Sequence, residues 1–219
     1  MTVENIEITD AEGVFLVGLA RKAVEEYLKN RTIIKPPKDT PEVLKRNMGV
    51  FVTIETLRKV GEKVKKELRG CIGFPLPIKP LVNATIEAAI AAATEDPRFP
   101  PMTYDEVGNV VFEVSILTPP EEIKVEKPRE YLDKIVIGRD GLIVERGLYK
   151  GLLLPQVPVE YKWDVMTFLG ETCMKAGLPP DAWTFKDTKI YKFQAIVYAE
   201  LEPKGRVVKR DLIRELKEE

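Results

Sequence analysis

The chain contains no histidine. That absence excludes Ser-His-Asp triads, Cys-His dyads, HExxH zinc sites, His-ligated haem and histidine-based pH switches. Any proton transfer must use a carboxylate, Lys, Tyr or Cys. Cysteine is scarce too: Cys71 and Cys173 are the only two. They have neither metal-ligand spacing nor the pattern of a secreted disulfide framework, so a reducing, cytoplasmic setting without a bound metal is expected. No charge of one sign dominates, since 34 Lys+Arg stand against 35 Asp+Glu for a net −1. A general nucleic-acid coat needs a large basic excess and is therefore not expected. Long hydrophobic runs are missing. The most apolar stretch, Leu81 to Ala93, includes Glu87 and is too short to cross a bilayer. Met1 to Asp10 is acidic and has no apolar signal-peptide segment, so neither secretion nor membrane insertion is expected.

What remains is a globular composition: 219 residues, 44% hydrophobic and 32% charged. The Lys, Glu, Ile and Val richness leans towards a heat-adapted source. Thr9-Asp10-Ala11-Glu12 is a capping box, followed by an apolar stripe from Phe15 to Leu28 at helical spacing. Gly49 to Glu55 alternates β-branched residues and predicts a strand. Leu57 to Lys66 is charged and predicts an exposed hairpin loop, with Leu68 to Phe74 as the returning strand. A second helix over Leu81 to Glu95 is rich in alanine, whose small side chains allow close packing on a sheet. Asp96-Pro97 ends it, and Arg98-Phe99-Pro100-Pro101 continues as a stiff extended segment.

Asn109 to Leu117 is the clearest strand. Gly138-Arg139-Asp140-Gly141 predicts a hairpin between Ile135-Val136-Ile137 and Leu142-Ile143-Val144. Gly147 to Leu154 predicts a further strand. A third helix is expected over Glu160 to Ala176, with Met166, Leu169, Cys173 and Ala176 on one face and Gly177 closing it. Lys189 to Glu200 reads as the last strand, and residues 204–219 as a charged tail ending in a short amphipathic helix. Hairpin signals outnumber βαβ units, so the fold class is α+β with a mostly antiparallel sheet flanked by helices.

Three segments stand out as candidates for chemistry. Leu68-Arg69-Gly70-Cys71-Ile72-Gly73 places a thiol and a guanidinium between glycines. Glycine in a strand weakens it unless a bend or a close approach needs the room. Cys71 is either a small buried hydrophobe or a thiol activated by nearby Arg69. Asp96-Pro97-Arg98 fixes a carboxylate and a guanidinium in a rigid turn, either as an ion pair closing that turn or as a fork for an anion. Gln156, between Pro155 and Pro158, either satisfies buried backbone or presents its amide to a ligand. Cys173 reads as core, and Trp163 and Trp183 read either as core or as an aromatic platform for a ligand. The lysine-rich hairpin reads as a solvated face.

Four motifs in order carry a resemblance over roughly Phe15 to Glu200: Leu68 to Gly73, Asp96 to Pro101, Leu154-Pro155-Gln156-Val157 and Lys175-Ala176-Gly177-Leu178. Together they resemble the AMMECR domain family, named after a human chromosomal-region gene. The resemblance implies two unequal, intertwined subdomains within residues 1–203, around an antiparallel sheet, with the motifs drawn towards a shared cleft. It assigns no reaction. It implies partners in a pathway that also uses Memo-like and radical-SAM proteins. Carried over by motif, the residues of interest are Arg69, Gly70, Cys71, Gly73, Asp96, Arg98 and Gln156. The expectation drawn from these is a small anionic substrate held by Arg69, Gly70, Gly73, Arg98 and Gln156. Cys71 then serves as nucleophile or redox thiol and Asp96 as proton acceptor, with no cofactor. Two alternatives stay open: a non-catalytic adaptor acting through protein contacts, and an RNA-associated factor.

Overall fold

The computed structural model describes residues 7–61 and 63–217. The chain divides into two compact units. The first runs up to Pro119 and includes Ile196–Arg210; the second comprises Pro120–Ala195 and the chain from Asp211 onward. The architecture is α+β, antiparallel sheet with flanking helices.

In the first unit α1 (Asp10–Asn30) starts where the sequence predicts. Thr9 Oγ1 accepts the Glu12 N–H at 3.3 Å, and the Glu12 carboxylate accepts the Thr9 N–H at 2.8 Å. Arg31 closes the helix in the left-handed region at φ 55°. Strands β1 (Gly49–Val60) and β2 (Lys63–Phe74) form a long antiparallel hairpin. The expected loop over Leu57 to Lys66 is therefore replaced by paired strand, which turns at Gly61 (φ 64°). A pattern search for apolar alternation misses such an arm, because its tip has charged side chains on both faces.

Helix α2 (Leu81–Thr94) then leads to β3 (Val110–Leu117), which pairs β1 from Gly49↔Leu117 to Thr56↔Val110. The order is β2-β1-β3-β7, where β7 (Lys189–Glu200) contributes Ile196–Glu200 to this unit. The tail does not stand apart, since its strand β8 (Val207–Lys209) pairs with Tyr198–Glu200. Val50, Val52, Ile54, Phe112, Val114 and Ile116 are buried with the apolar faces of α1 and α2. Burying each such side chain stabilises the fold by about 1.5–3 kcal/mol.

In the second unit β5 (Asp140–Arg146) lies between β6 (Tyr149–Leu153) and the first part of β7, while the two-residue β4 (Glu121–Glu122) pairs β7. Ile135 to Ile137 form no strand, so the hairpin expected at Gly138 to Gly141 is replaced by a turn. The cause is Asp140, fully buried, whose Oδ2 accepts the Val136 N–H at 2.9 Å and whose two oxygens bind Arg139. The hairpin here is β5–β6, turning at Gly147 (φ 59°).

The helix expected over Glu160 to Ala176 starts later, as α5 (Val165–Lys175), and a separate short helix, α4 (Gln156–Glu160), precedes it. Lys162 (φ 55°) breaks the run, and Asp164 restarts it by accepting the Thr167 N–H at 2.7 Å. Phe168, Leu169, Thr172 and Cys173 face the core, whereas Met166 is exposed. Short helices α3 (Tyr131–Lys134) and α6 (Leu212–Glu215) complete this unit.

Candidate functional site

The first unit brings two of the three candidate segments together. The Cys71 N–H, on the outer edge of β2, donates to Asp96 Oδ2 at 2.9 Å. Asp96 follows directly on the end of α2, so helix and strand present their functional residues to each other. The turn that the sequence reads as extended is closed by the Phe99 N–H on the Asp96 carbonyl at 3.1 Å.

Asp96 is 4% exposed and accepts three further bonds. The Arg98 N–H and Nε bind Oδ1 at 3.1 and 2.9 Å, and Arg98 Nη2 binds Oδ2 at 2.7 Å. Burial on its own raises the affinity of this carboxyl for a proton. The bonds from Arg98 and from the Cys71 and Arg98 backbones outweigh it and hold the pKa at about 2. With its oxygens so occupied, Asp96 clamps the site together; in this arrangement it is a poor proton acceptor.

Cys71 lies opposite Thr53 of β1, whose hydroxyl donates to Sγ at 3.3 Å. Burial, reinforced by the Glu113 and Asp96 charges, pushes its pKa up to about 11 against the opposing effects of Thr53 and Arg98. At neutral pH Cys71 is thus a thiol, not the thiolate a nucleophile requires. Cys173 is fully buried on α5, also a free thiol, and burial raises its pKa to about 11.

Arg69 is placed by an irregularity. Ile54 pairs with Gly70 but Glu55 pairs with Leu68, so Arg69 is the extra residue of a β-bulge. A flat strand would put Arg69 and Cys71 on one face; a bulge re-aims the side chain. Its Nε and Nη2 bind the two Glu106 oxygens at 2.8 and 3.2 Å. Glu106 is itself tethered, accepting the Thr103 N–H at 2.8 Å in a capping box. These bonds from Arg69 come first among the causes that lower the Glu106 pKa. The guanidinium carbons of Arg69 and Arg98 lie 5.9 and 5.6 Å from the centre of the Phe99 ring. That ring therefore belongs to both cations.

The glycines have packing reasons. A Cβ on Gly70 would sit 2.0 Å from the Ala92 carbonyl oxygen, and one on Gly73 2.2 Å from the Val50 carbonyl oxygen. Both are needed for backbone approach within the protein. Gln156 lies in the second unit, buried at the start of α4. Sequence reasoning gave no site role to Thr53, Phe99, Glu106 and Glu113, although Phe99 stands inside the Asp96 to Pro101 motif and Glu106 in a Thr103-x-x-Glu106 box. Among the described residues no group of three or more Cys, Asp or Glu is placed to hold a metal ion. No helix among them is long and apolar enough to cross a membrane.

The AMMECR1 family model matches residues 17–198. The chain belongs to the AMMECR1 family. Protein PH0010 of Pyrococcus horikoshii is 57% identical over 207 residues, covering 94% of this chain and 98% of the relative. Protein MJ0810 of Methanocaldococcus jannaschii is 54% identical over 206 residues, with 94% and 98% covered. The crystal structure of the Pyrococcus horikoshii protein, titled an uncharacterized protein, superposes with a TM-score of 0.88 and covers 93% of this chain and 98% of that one. The names of both relatives assign them no activity.

Proposed function

We propose that this AMMECR1-family protein binds a small anionic ligand at the corner formed by Cys71, Asp96 and Arg98. One observation carries the reading: the Arg98 guanidinium is held rigid by a nearly buried carboxylate, yet its own side chain is 41% exposed. Nε and Nη2 are used on Asp96, which leaves Nη1 for an incoming carboxylate or phosphate oxygen. A fixed planar cation loses little conformational entropy on binding and favours such groups. The neighbouring Cys71 thiol offers a weak donor and a soft, uncharged surface. Arg69, paired with Glu106 and 5.9 Å from the centre of the Phe99 ring, supports the turn.

Binding is favoured over thiol catalysis because the resting thiol is protonated and the adjacent carboxylate holds its proton affinity low. Thermal unfolding of the full chain with inorganic phosphate, acetate and succinate tests this. A ligand that binds only the folded state raises the midpoint by an amount that grows with the logarithm of one plus its concentration over Kd. The rise is expected for at least one of these anions, and its loss in Arg98→Gln. Equal shifts in both proteins, or none in either, refute the proposal.

A further inference from the structure

Strand β2 ends the sheet of the first unit: it pairs β1 on one side, and no described strand pairs its other side. Such an edge carries N–H and C=O groups that can pair with another chain. Alternate residues of an antiparallel strand direct both backbone groups to the same side. The Cys71 N–H points outward, to Asp96. The Cys71 carbonyl and both backbone groups of Gly73 therefore lie on the outer edge as well. Among the described residues no turn, loop or side-chain bond is made to these three groups. Cys71 and Gly73 are both half-buried, so the edge is not enclosed.

The open stretch is short and bounded. Pro75, directly after β2, has no N–H to offer. On the other side the bulge at Arg69 breaks the register. Asp96 Oδ2 takes the Cys71 N–H at 2.9 Å, the place that a carbonyl of an added strand would fill. An added strand must therefore stop beside Cys71. What it meets there is Arg98, bound to Asp96 through Nε and Nη2 and 41% exposed. A guanidinium has five N–H donors, so Nη1 and the second Nη2 hydrogen remain for another acceptor. A chain that must end beside a positive fork is complementary to a chain end that carries a negative charge.

We propose that the outer edge of β2 takes the C-terminal end of an extended peptide as an additional strand, with its terminal carboxylate on Arg98. This rests on the reading of Arg98 as the anion site and names the class of ligand. The peptide enters beside Phe74 and finishes beside Cys71, so it runs antiparallel to β2. One of its residues exchanges two backbone bonds with Gly73. The residue two further on is its last, and donates its N–H to the Cys71 carbonyl. Backbone bonds of this kind supply affinity with little regard to side chains, and the captured carboxylate fixes the register.

The test is 1H–15N NMR of the full chain titrated with N-acetylated, proline-free pentapeptides of randomised sequence. Three pools are compared: a free carboxyl end, an amidated end, and a free end whose last peptide nitrogen is methylated. The free-end pool is expected to shift the Gly73 and Cys71 amides together and saturably. Amidation should weaken binding by about tenfold or more, since it removes a charged acceptor, and N-methylation by about threefold or more. Arg98→Gln should bring the free-end pool down to the level of the amidated one. A Gly73 amide that stays still under the free-end pool overturns the proposal, as does equal affinity of that pool and either of the other two. Acetate, phosphate and succinate, titrated separately, distinguish this from the anion reading. A small anion that moves Cys71 while no peptide moves Gly73 overturns the peptide alone. Silence of Cys71 towards all three anions and the peptides overturns both.

Discussion

Gly70 of β2 faces Ala92 of α2 so closely that an added Cβ would lie 2.0 Å from the Ala92 carbonyl oxygen. The alanine-rich helix and the glycine in the strand are thus one device. It seats the end of α2, and with it Asp96, against the backbone of Cys71.

Gly70→Ala is accordingly expected to destabilise the fold by about 1–3 kcal/mol, the usual cost of overpacking. Urea unfolding measures it. Because the clash is with backbone, Ala92→Gly does not rescue it.

Asp96→Asn is expected to lower stability by about 2 kcal/mol at neutral pH, from the depression of its pKa from 3.8 to about 2. The sign follows from linkage. A carboxyl with a lowered folded-state pKa stabilises above its unfolded value, and the contribution fades as pH falls from about 4 towards 2. Denaturation curves of the two proteins should therefore separate at pH 7 and converge in acid.

Arg21 and Glu200 form a buried pair with bonds of 2.7 and 2.5 Å, and Arg21 also donates to the Val107 and Val110 carbonyls. The guanidinium lies 4.7 Å from the Phe112 ring centre. Glu200→Gln leaves that buried cation with only the more exposed Glu25 carboxylate, at 3.8 Å, so a loss of about 3 kcal/mol is expected by urea unfolding. Arg21→Met with Glu200→Leu should cost less than Glu200→Gln, because no buried charge remains.

Neither cysteine should alkylate quickly at neutral pH, since burial raises both thiols to about 11. Peptide mapping after iodoacetamide should find Cys71 modified before the fully buried Cys173, with rates rising about tenfold per pH unit below the pKa. Rapid modification of Cys71 at pH 7 would show a thiolate that this geometry does not support.

The sequence exposed the parts of the fold governed by local rules. Thr9 and Glu12 spell a cap, the alanines of α2 anticipate tight packing, and the β-branched runs mark β1 and β3. The Cys71 N–H reaches the Asp96 carboxylate across 25 residues of sequence. What escaped depends on contacts distant in sequence. The charged β1–β2 arm has no buried face to read. Asp140 looks like turn chemistry but is buried against Val136 and Arg139. The bulge at Arg69 and the pairing of Cys71 with Thr53 exist only once strand register is known.

The most direct measurement is a 1H–15N NMR titration of the full chain with inorganic phosphate, acetate and succinate, following the Arg98 Nε–H and the Cys71 amide. Both protons bind Asp96, so an anion on Arg98 must move them together. Saturable shifts of these two signals are expected with at least one anion, and not in Arg98→Gln for Cys71. Saturable shifts confined to other residues, or no saturable shift with any of the three, would contradict anion binding at this corner.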